Sequence, residues 1–254
     1  MDSSSNPLRP AATLILLRER AGLAPEVLML ERSAGMAFAA GALVFPGGRV
    51  DDADLALATR LGLDLPLEDV AARLGAIRET IEETGVAVGL DPYPDAETIL
   101  SLRAILAEGG SLADALARHA LSLDINGLHS FARWIPPLEV PKRYDTRFYI
   151  ATAPESAVEH ADGSESVHAL WASADAFLEG LERGEHAMLF PTRMNLLRLR
   201  QFASFDEIRD DAARHGGHIV NPRVEIHNDE KHLVIDKGLG YPITLMPLRL
   251  TPRG

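Results

Sequence analysis

The first fifty residues alternate short apolar runs with polar and glycine-containing breaks, a pattern that predicts β-strands joined by turns. Three runs lie at residues 13–17, 26–30 and 42–45. The third run ends abruptly in Pro-Gly-Gly at residues 46–48, which stops a strand and frees the following backbone for unusual dihedral angles. We therefore expect a strand that is followed by a glycine turn at Gly48.

The apolar spacing becomes helical between residues 67 and 84, with intervals of four, three and four residues. The residues that carry this spacing are Val70, Leu74, Ile77 and Ile81. Gly85 follows at a position where helices commonly end in a left-handed glycine. The pattern predicts a helix over residues 67–84.

Two further helical patterns, at residues 96–108 and 112–121, interrupt a mainly β sequence, so we interpret residues 95–122 as a helical insertion. The remaining chain predicts strands at 130–135, 147–152 and 166–171, helices at 175–183, 192–202 and 205–215, and strands at 223–227, 233–236 and 243–245. Without an internal repeat or a low-complexity linker, a single α+β domain over residues 11–254 is favoured. Residues 1–10 are rich in Ser and Pro and predict a tail, and residues 190–254 predict a C-terminal extension.

Composition narrows the classes of function. The 254 residues are 46% hydrophobic and 24% charged, as in an ordinary globular protein. A formal net charge of -12 repels polyanions at long range, so a nucleic-acid partner is not expected. The chain has no Cys, which excludes disulfides, thiolate metal sites and cysteine nucleophiles. The apolar run at residues 11–17 is too short to span a bilayer, so we expect a cytoplasmic protein without a membrane partner.

The predicted helix over residues 67–84 carries chemistry on its polar face. At about 100° per residue, Glu79, Glu82 and Glu83 fall on one face, opposite the apolar residues. Like charges at these spacings repel, so the cluster lowers stability unless a cation binds there. Oxygen ligands without sulfur suit a hard divalent ion, Mg²⁺ or Mn²⁺. The alternative is a solvated, Glu-rich surface helix, which is common.

The segment from Arg78 to Val86 resembles the signature of the Nudix hydrolase family. That signature runs Gly, five residues, Glu, seven residues, then Arg-Glu-aliphatic-any-Glu-Glu-any-Gly-aliphatic, and only Thr80 is off-type in its second half. Gly48 matches the opening Gly, but Arg78 lies 30 positions after it instead of 14, so 16 residues are inserted. Counting eight back from Arg78 gives Val70 where the signature has Glu, with Glu68 and Asp69 nearby.

The resemblance implies a Nudix-type α/β/α sandwich with a mixed sheet, covering roughly residues 11–181. It also implies that the Gly48 carbonyl, Glu79, Glu82 and Glu83 bind Mg²⁺ or Mn²⁺, and that Arg78 orients a carboxylate. Glu79 is a ligand or the general base. Because extra loop length costs little entropy, we expect the insertion after Gly48 to be a surface excursion that keeps Gly48 beside the helix.

A second acidic residue is suggested by the same resemblance. Glu165 lies six positions before Trp171, and in several Nudix enzymes a Glu in the loop before such a strand Trp binds metal or activates water. The alternative is a solvent-exposed loop acid.

The substrate is indicated by weaker motifs. Residues 28–48 resemble the stretch that marks coenzyme A diphosphatases, although Ala37 or Phe38 stands where that motif has a second Arg. Residues 134–137, 143–149 and 190–193 resemble the long-insertion Nudix branch that includes acyl-CoA diphosphatases. Arginine suits bidentate phosphate recognition, and the candidates are Arg32, Arg143 and Arg147. Each could instead be a surface charge or part of a structural ion pair.

The implied function is metal-dependent cleavage of the diphosphate of a small-molecule nucleoside diphosphate derivative, with CoA or acyl-CoA as the favoured substrate. Two alternatives remain: a pyrophosphatase for ADP-ribose or dinucleotides, and a Nudix fold retained as a non-catalytic nucleotide-sensing module. The helical insertion at 95–122 could cover the substrate or form a homodimer contact.

Overall fold

The computed structural model describes residues 7–33, 35, 40–137, 142–155, 157–159 and 166–250. In chain order the strands are β1 (Leu8–Arg18), β2 (Glu26–Arg32), β3 (Ala42–Val44), β4 (Gly47–Arg49), β5 (Leu90–Asp91), β6 (Ser122–Leu123), β7 (His129–Trp134), β8 (Arg143–Thr152), β9 (Ser166–Ser173), β10 (Ala187–Met188), β11 (Ile219–Val220), β12 (Arg223–His227), β13 (Glu230–Val234) and β14 (Leu245–Pro247). The helices are α1 (Asp52–Leu61), α2 (Leu67–Thr84), α3 (Ala96–Ala107), α4 (Leu112–His119), α5 (Ala174–Glu182), α6 (Phe190–Leu199) and α7 (Phe205–His215).

Within the described part of the chain, nine strands form one mixed sheet in the order β10-β3-β2-β1-β8-β7-β11, with β4 pairing to β1 and β9 to β2. The central strands β1 and β8 run parallel over ten residue pairs, from Leu8–Arg143 to Leu17–Thr152. Strand β1 therefore begins at Leu8, and residues 8–10, which the sequence assigned to a tail, belong to the sheet. For residues 8–10 the expected tail was wrong, because the parallel ladder with β8 extends past the apolar run and includes Arg9 and Pro10. Residues 1–6 of the expected tail lie outside the described residues.

Helices cover both faces of this sheet. Leu14 and Leu16 of β1 pack into a core shared with α2, α3 and α4, whereas Ile15 and Leu17 pack with α5, α6 and α7 on the other face. Burial on both faces explains why β1 is apolar at nearly every position instead of alternating. The predicted α+β class, with a mixed sheet between two layers of helices, is confirmed.

Helix α2 begins and ends where the apolar spacing predicts, at Leu67 and Thr84. Gly85 ends it with φ 71°, and its backbone N–H donates to the Ile81 carbonyl at 2.9 Å. Thr80, the off-type residue, is fully buried and its hydroxyl donates to the Ala76 carbonyl at 2.7 Å. The hydroxyl is thus satisfied inside the helix, and Thr80 occupies an apolar position without an unpaired polar group.

Residues 95–122 contain α3 and α4, as the helical pattern predicts. The Asp95 side chain caps α3 by accepting from the Thr98 amide, and Ser111 caps α4 by accepting from the Asp114 amide. Leu102 of α3 is buried in the same core as α2, so this unit is packed against the acidic helix.

The C-terminal region consists of α6, α7 and a separate antiparallel sheet in the order β12-β13-β14. Arg198 of α6 is 1% exposed and forms an ion pair with Asp211 of α7 at 2.7 Å. Its Nη1 also donates to the Phe131 carbonyl of β7 at 2.8 Å. This buried arginine therefore joins the two C-terminal helices to an inner strand of the main sheet.

In the described part of the chain, no helix combines the length and the apolar character that a membrane span requires.

Candidate active site

The glycine turn lies directly against the acidic face of α2. The Gly47 amide donates to Oε2 of Glu83 at 2.9 Å, and a Cβ on Gly48 would overlap Oε1 of Glu79. Strand β4 is held there by pairing with β1, where Gly48 lies opposite Ala12. No side chain is compatible with so close an approach, so glycine at position 48 is required for the carboxylate to contact the turn.

Arg78 is buried at the centre of this arrangement. Its Nη1 donates to Oε1 of Glu79 at 2.9 Å and lies 3.5 Å from Oε2 of Glu82. Its Nη2 donates to the Arg49 carbonyl at 2.8 Å and to Oδ2 of Asp54 at 3.0 Å. One guanidinium therefore joins the end of β4, helix α1 and the acidic face of α2.

Asp54 is a site residue that the sequence reasoning missed. It is 1% exposed, and its carboxylate accepts both from Arg78 and from the Asp51 amide, the latter at 3.0 Å. It is the third residue of α1 and completes a capping box with Asp51. The first turn of α1 therefore holds the carboxylate that contacts Arg78.

The charges at this site alter two pKa values. Burial opposes the charge of Arg78, but the hydrogen bond to Asp54 and the negative charges of Glu79, Asp54 and Asp51 outweigh it and raise the pKa of the guanidinium. Burial raises the pKa of Glu79 to about 7, and Glu82 and Asp51 add to this rise, although Arg78 opposes it. For the Glu79 carboxylate, burial therefore outweighs the stabilising effect of Arg78.

Exposure differs among the three glutamates. The Glu82 side chain is 36% exposed, that of Glu79 is 17% exposed, and Glu83 is 8% exposed as a whole residue. Nowhere in the described ranges do three acidic or histidine side chains converge closely enough to hold a metal ion. By chemistry, however, three carboxylates beside a backbone turn are the oxygen donors that Mg²⁺ or Mn²⁺ takes. The residues therefore fit a hard divalent cation by type.

Arg147 and Arg143 lie on β8 and are engaged with protein groups. Nη1 of Arg147 lies 3.4 Å from Oδ1 of Asp69, which also accepts from the Tyr149 hydroxyl at 2.7 Å. Arg143 donates to the Pro136 carbonyl through Nε at 3.4 Å and through Nη2 at 3.3 Å.

The strand pairing places Arg147 two strands away from Gly48. Ala12 of β1 pairs with Arg147 of β8 on one side and with Gly48 of β4 on the other. At about 4.8 Å per strand, the Arg147 backbone lies roughly 10 Å from Gly48.

Arg32 lies at the end of β2, opposite Ser166, the first residue of β9. Glu165 immediately precedes that residue and lies outside the described residues, so its predicted role stays a prediction. The sheet thus places Arg32 beside the point where the segment carrying Glu165 enters β9.

Similarity to known proteins identifies the family of this chain. The model of the NUDT19 Nudix domain matches residues 56–199, which include α2 and more than half of the chain. The chain belongs to the NUDT19 Nudix domain family. The acyl-coenzyme A diphosphatase NUDT19 of Gallus gallus is 28% identical over 239 residues, and that of Homo sapiens is 27% identical over 234 residues. Both alignments cover 72% of this chain, but this chain spans only about three fifths of these curated relatives, 63% and 62%.

A solved structure shares the Nudix fold throughout most of its length. The NUDIX hydrolase from Alicyclobacillus acidocaldarius superposes with a TM-score of 0.71 at 28% identity, over 82% of this chain and 97% of that chain. The relationship therefore extends through the sheet and its helices, beyond the short acidic motif.

Asp54 occupies the position of the first acid of the Nudix signature when positions are counted from Gly48. Asp54 lies six positions after Gly48, the spacing at which the signature has Glu, and it contacts the signature arginine, Arg78. Counting back from Arg78 reaches Val70 instead, because the 16 extra residues lie between Asp54 and Arg78 and not before Asp54. Val70 is 1% exposed and packs in the core.

The segment after Gly48, which was expected to be a surface excursion, contains helix α1, and Asp54 of this helix contacts Arg78. Most of residues 51–68 are exposed, but Asp54, Leu57 and Ala58 are buried against α2. No helix was expected here, because one of its three inward-facing residues, Asp54, is charged, which leaves only Leu57 and Ala58 to mark an apolar face. The prediction that Gly48 lies beside the acidic helix agrees with its contact to Glu79.

Proposed function

We propose that this protein is a divalent-metal-dependent Nudix hydrolase that cleaves the diphosphate of CoA or acyl-CoA. The observation that carries the proposal is the contact between the Gly47–Gly48 turn and the carboxylate face of α2. Arg78 and its buried partner Asp54 hold that contact together. Such an arrangement concentrates oxygen donors where a charged diphosphate and its metal ions can be bound.

Each residue has a proposed role. Glu82 and Glu83 bind the metal with the Gly48 carbonyl, and Glu79 is a ligand or the general base. Arg78 orients Glu79 and Glu82, which it contacts in the structure. When bound, Mg²⁺ or Mn²⁺ supplies positive charge that neutralises the diphosphate and lowers the pKa of a bound water. Glu165 is proposed as a further ligand or water-activating group.

The proposed reaction is a hydrolysis of one P–O bond in the diphosphate bridge. A water oxygen forms a bond to one phosphorus, and the bridging oxygen leaves with the other phosphate. The carboxylate base accepts a proton from the water and releases it to solvent. From CoA the products are a phosphopantetheine and an adenosine bisphosphate.

The substrate assignment rests on the relatives and on three arginines. The two vertebrate relatives are named acyl-coenzyme A diphosphatases. We propose that Arg32, Arg143 and Arg147 contribute to phosphate binding, with Arg147 having to exchange its contact with Asp69 for the substrate. Ala37 and Phe38, where coenzyme A diphosphatases have a second Arg, lie outside the described residues. Their lack of charge favours a CoA preference weaker than a full motif would give.

A hydrolysis panel tests this function. Wild-type protein with Mg²⁺ or Mn²⁺ is assayed on CoA, decanoyl-CoA, ADP-ribose, NADH and a diadenosine polyphosphate, with the Glu83→Gln variant as the inactive control. A CoA species is expected to have the highest kcat/KM. A higher value for ADP-ribose or the dinucleotide rejects the CoA assignment, and no hydrolysis of any compound rejects the enzyme in favour of a nucleotide-sensing module.

A further inference from the structure

A cavity of about 300 Å³ lies at the C-terminal end of the acidic helix. It is open to solvent on one side and is bordered by the end of α2, the start of α3 and the segment that contains Val158. Among the residues that line it are Gly85, Tyr93, Ile99, Leu100, Arg103 and Val158. This volume is within the range of small-molecule sites, which are typically apolar with a few polar groups.

The cavity lies about one helical turn beyond Glu82 of the proposed diphosphate site. Arg103, which forms part of its wall, donates to the Glu82 carbonyl through Nε at 3.2 Å and Nη2 at 3.1 Å. Gly85 lies three residues after Glu82, so the two are neighbours on the helix surface. A group bound to a diphosphate at Glu82 therefore needs to extend by about one helical turn, ~5 Å, to enter the cavity.

The lining offers aliphatic surface and few available hydrogen-bonding groups. Arg103 is engaged with Glu82, and the Asp95 carboxylate accepts from the Thr98 amide at 2.8 Å. The Tyr93 hydroxyl is different: it is buried and approaches the Ala87 backbone, yet it forms no hydrogen bond of normal geometry to any residue that the structure describes. Buried hydroxyls are normally paired, so the Tyr93 hydroxyl has hydrogen-bonding capacity that a group entering the cavity can use.

We infer that this cavity binds the aliphatic, amide-bearing pantetheine arm of the substrate, with the Tyr93 hydroxyl bonding to one of its amides. The inference rests on the proposed function, since it takes the diphosphate to be held at Glu82. Ile99, Leu100 and Val158 provide the apolar contact that the methyl groups and methylenes of such an arm require. A purine would leave several ring nitrogens and an amino group unpaired against this wall. The helical insertion then contributes to substrate binding through α3.

A binding experiment tests the cavity separately from catalysis. S-decanoyl-pantetheine, which has the arm but no phosphate, and adenosine 3′,5′-bisphosphate, which is the other half of CoA, are each titrated calorimetrically. Leu100→Asp places a charge on the cavity wall at a residue that is 64% exposed. Its matched control is Leu23→Asp, in the β1–β2 turn, where the leucine is 68% exposed and does not line the cavity.

The arm is expected to bind wild type and Leu23→Asp equally, and at least tenfold more weakly to Leu100→Asp. Tyr93→Phe, which keeps the walls, should weaken it severalfold. The bisphosphate should bind all four proteins alike. Equal binding of the arm to every variant, or no binding to wild type, overturns the inference, as does a loss confined to the bisphosphate.

Hydrolysis separates this inference from the proposed function. Leu100→Asp should raise KM for decanoyl-CoA at least tenfold with little change in kcat, while Leu23→Asp should leave both constants unchanged. A wild type that hydrolyses no diphosphate rejects the proposed function. A wild type that cleaves decanoyl-CoA with the same KM as Leu100→Asp rejects the cavity assignment alone.

Discussion

Asp54 and Arg78 are 24 residues apart in the chain and form a buried ion pair in which Nη2 lies 3.0 Å from Oδ2 and Nε lies 3.2 Å from Oδ1. The pair fixes the guanidinium between the Arg49 carbonyl and the carboxylates of Glu79 and Glu82. The 16 extra residues of the Nudix signature are therefore accommodated without separating its first acid from its arginine.

Replacing Asp54 with Asn should lower both stability and activity. Removing one partner of a buried ion pair typically costs about 3–5 kcal/mol, because the remaining charge is left uncompensated. Glu79 and Asp51 still face Arg78, so we expect a loss nearer ~3 kcal/mol in the free energy of unfolding, measured by urea denaturation. Asp52→Asn, an exposed neighbour in the same helical turn, is the control. Equal stability of the two variants would contradict a structural role for Asp54.

Glu82→Gln and Glu83→Gln should each reduce kcat by ~100-fold or more, because each removes a charged oxygen proposed to bind metal. The fold should be unaffected, since the amide oxygen introduced by Glu83→Gln can still accept from the Gly47 amide and fewer like charges remain on the helix. Glu68→Gln, at the exposed start of α2, serves as control. Steady-state kinetics and Mn²⁺ titration give the readout, and full activity in both variants would exclude this site.

Gly48→Ala should inactivate the protein at little cost to the rest of the fold. The added Cβ would overlap Oε1 of Glu79, so the carboxylate must move away from the turn. We expect a kcat at least ~100-fold lower, since displacing a proposed ligand or base removes its contribution to the reaction. Gly217→Ala meets no atom within 4 Å and provides the matched control. Equal kcat in the two variants would show that the contact with Glu79 is not needed.

Arg198→Met should destabilise the protein by about 3 kcal/mol, because the buried Asp211 would keep only long contacts with Arg214, at 4.0 Å, and His215, at 3.7 Å. The double variant Arg198→Met, Asp211→Leu should recover much of that loss, since no buried charge remains. Arg200→Met, in an ion pair with Asp175 whose side chains are 44% and 47% exposed, should change stability by less than ~1 kcal/mol. Thermal and urea unfolding measure these differences. A double variant less stable than Arg198→Met would argue against this explanation.

Arg32→Ala should raise KM for CoA more than it lowers kcat, because a phosphate contact made equally in substrate and transition state is uniform binding. Arg20→Ala, at an exposed arginine in the β1–β2 turn, is the comparison. Initial-rate kinetics over a range of CoA concentrations separate the two constants. A lower kcat with unchanged KM would indicate that Arg32 stabilises the transition state or maintains the structure, and does not bind the phosphate in the ground state.

The sequence alone determined the elements whose pattern is local. The spacing of four apolar residues placed α2 and its C-cap at Gly85, and the same periodicity put three glutamates on the opposite face. The sequence did not predict that both faces of β1 are buried, but the continuous apolar run was sufficient to predict a strand. These predictions depend only on neighbouring residues, which is why they agree with the structure.

Only the tertiary structure decided which acids act together. Asp54 and Asp69 each lie in the first turn of a helix of the structure, α1 and α2. Asp54 is buried against Arg78, whereas Asp69 contacts Arg73, Arg147 and Tyr149 at the N-terminal end of α2. Their partners come from elements that are distant in the chain, and the free energy of an ion pair depends on burial and distance, which no local pattern records. The sequence supplied the charges, and chain packing determined which of them form the site.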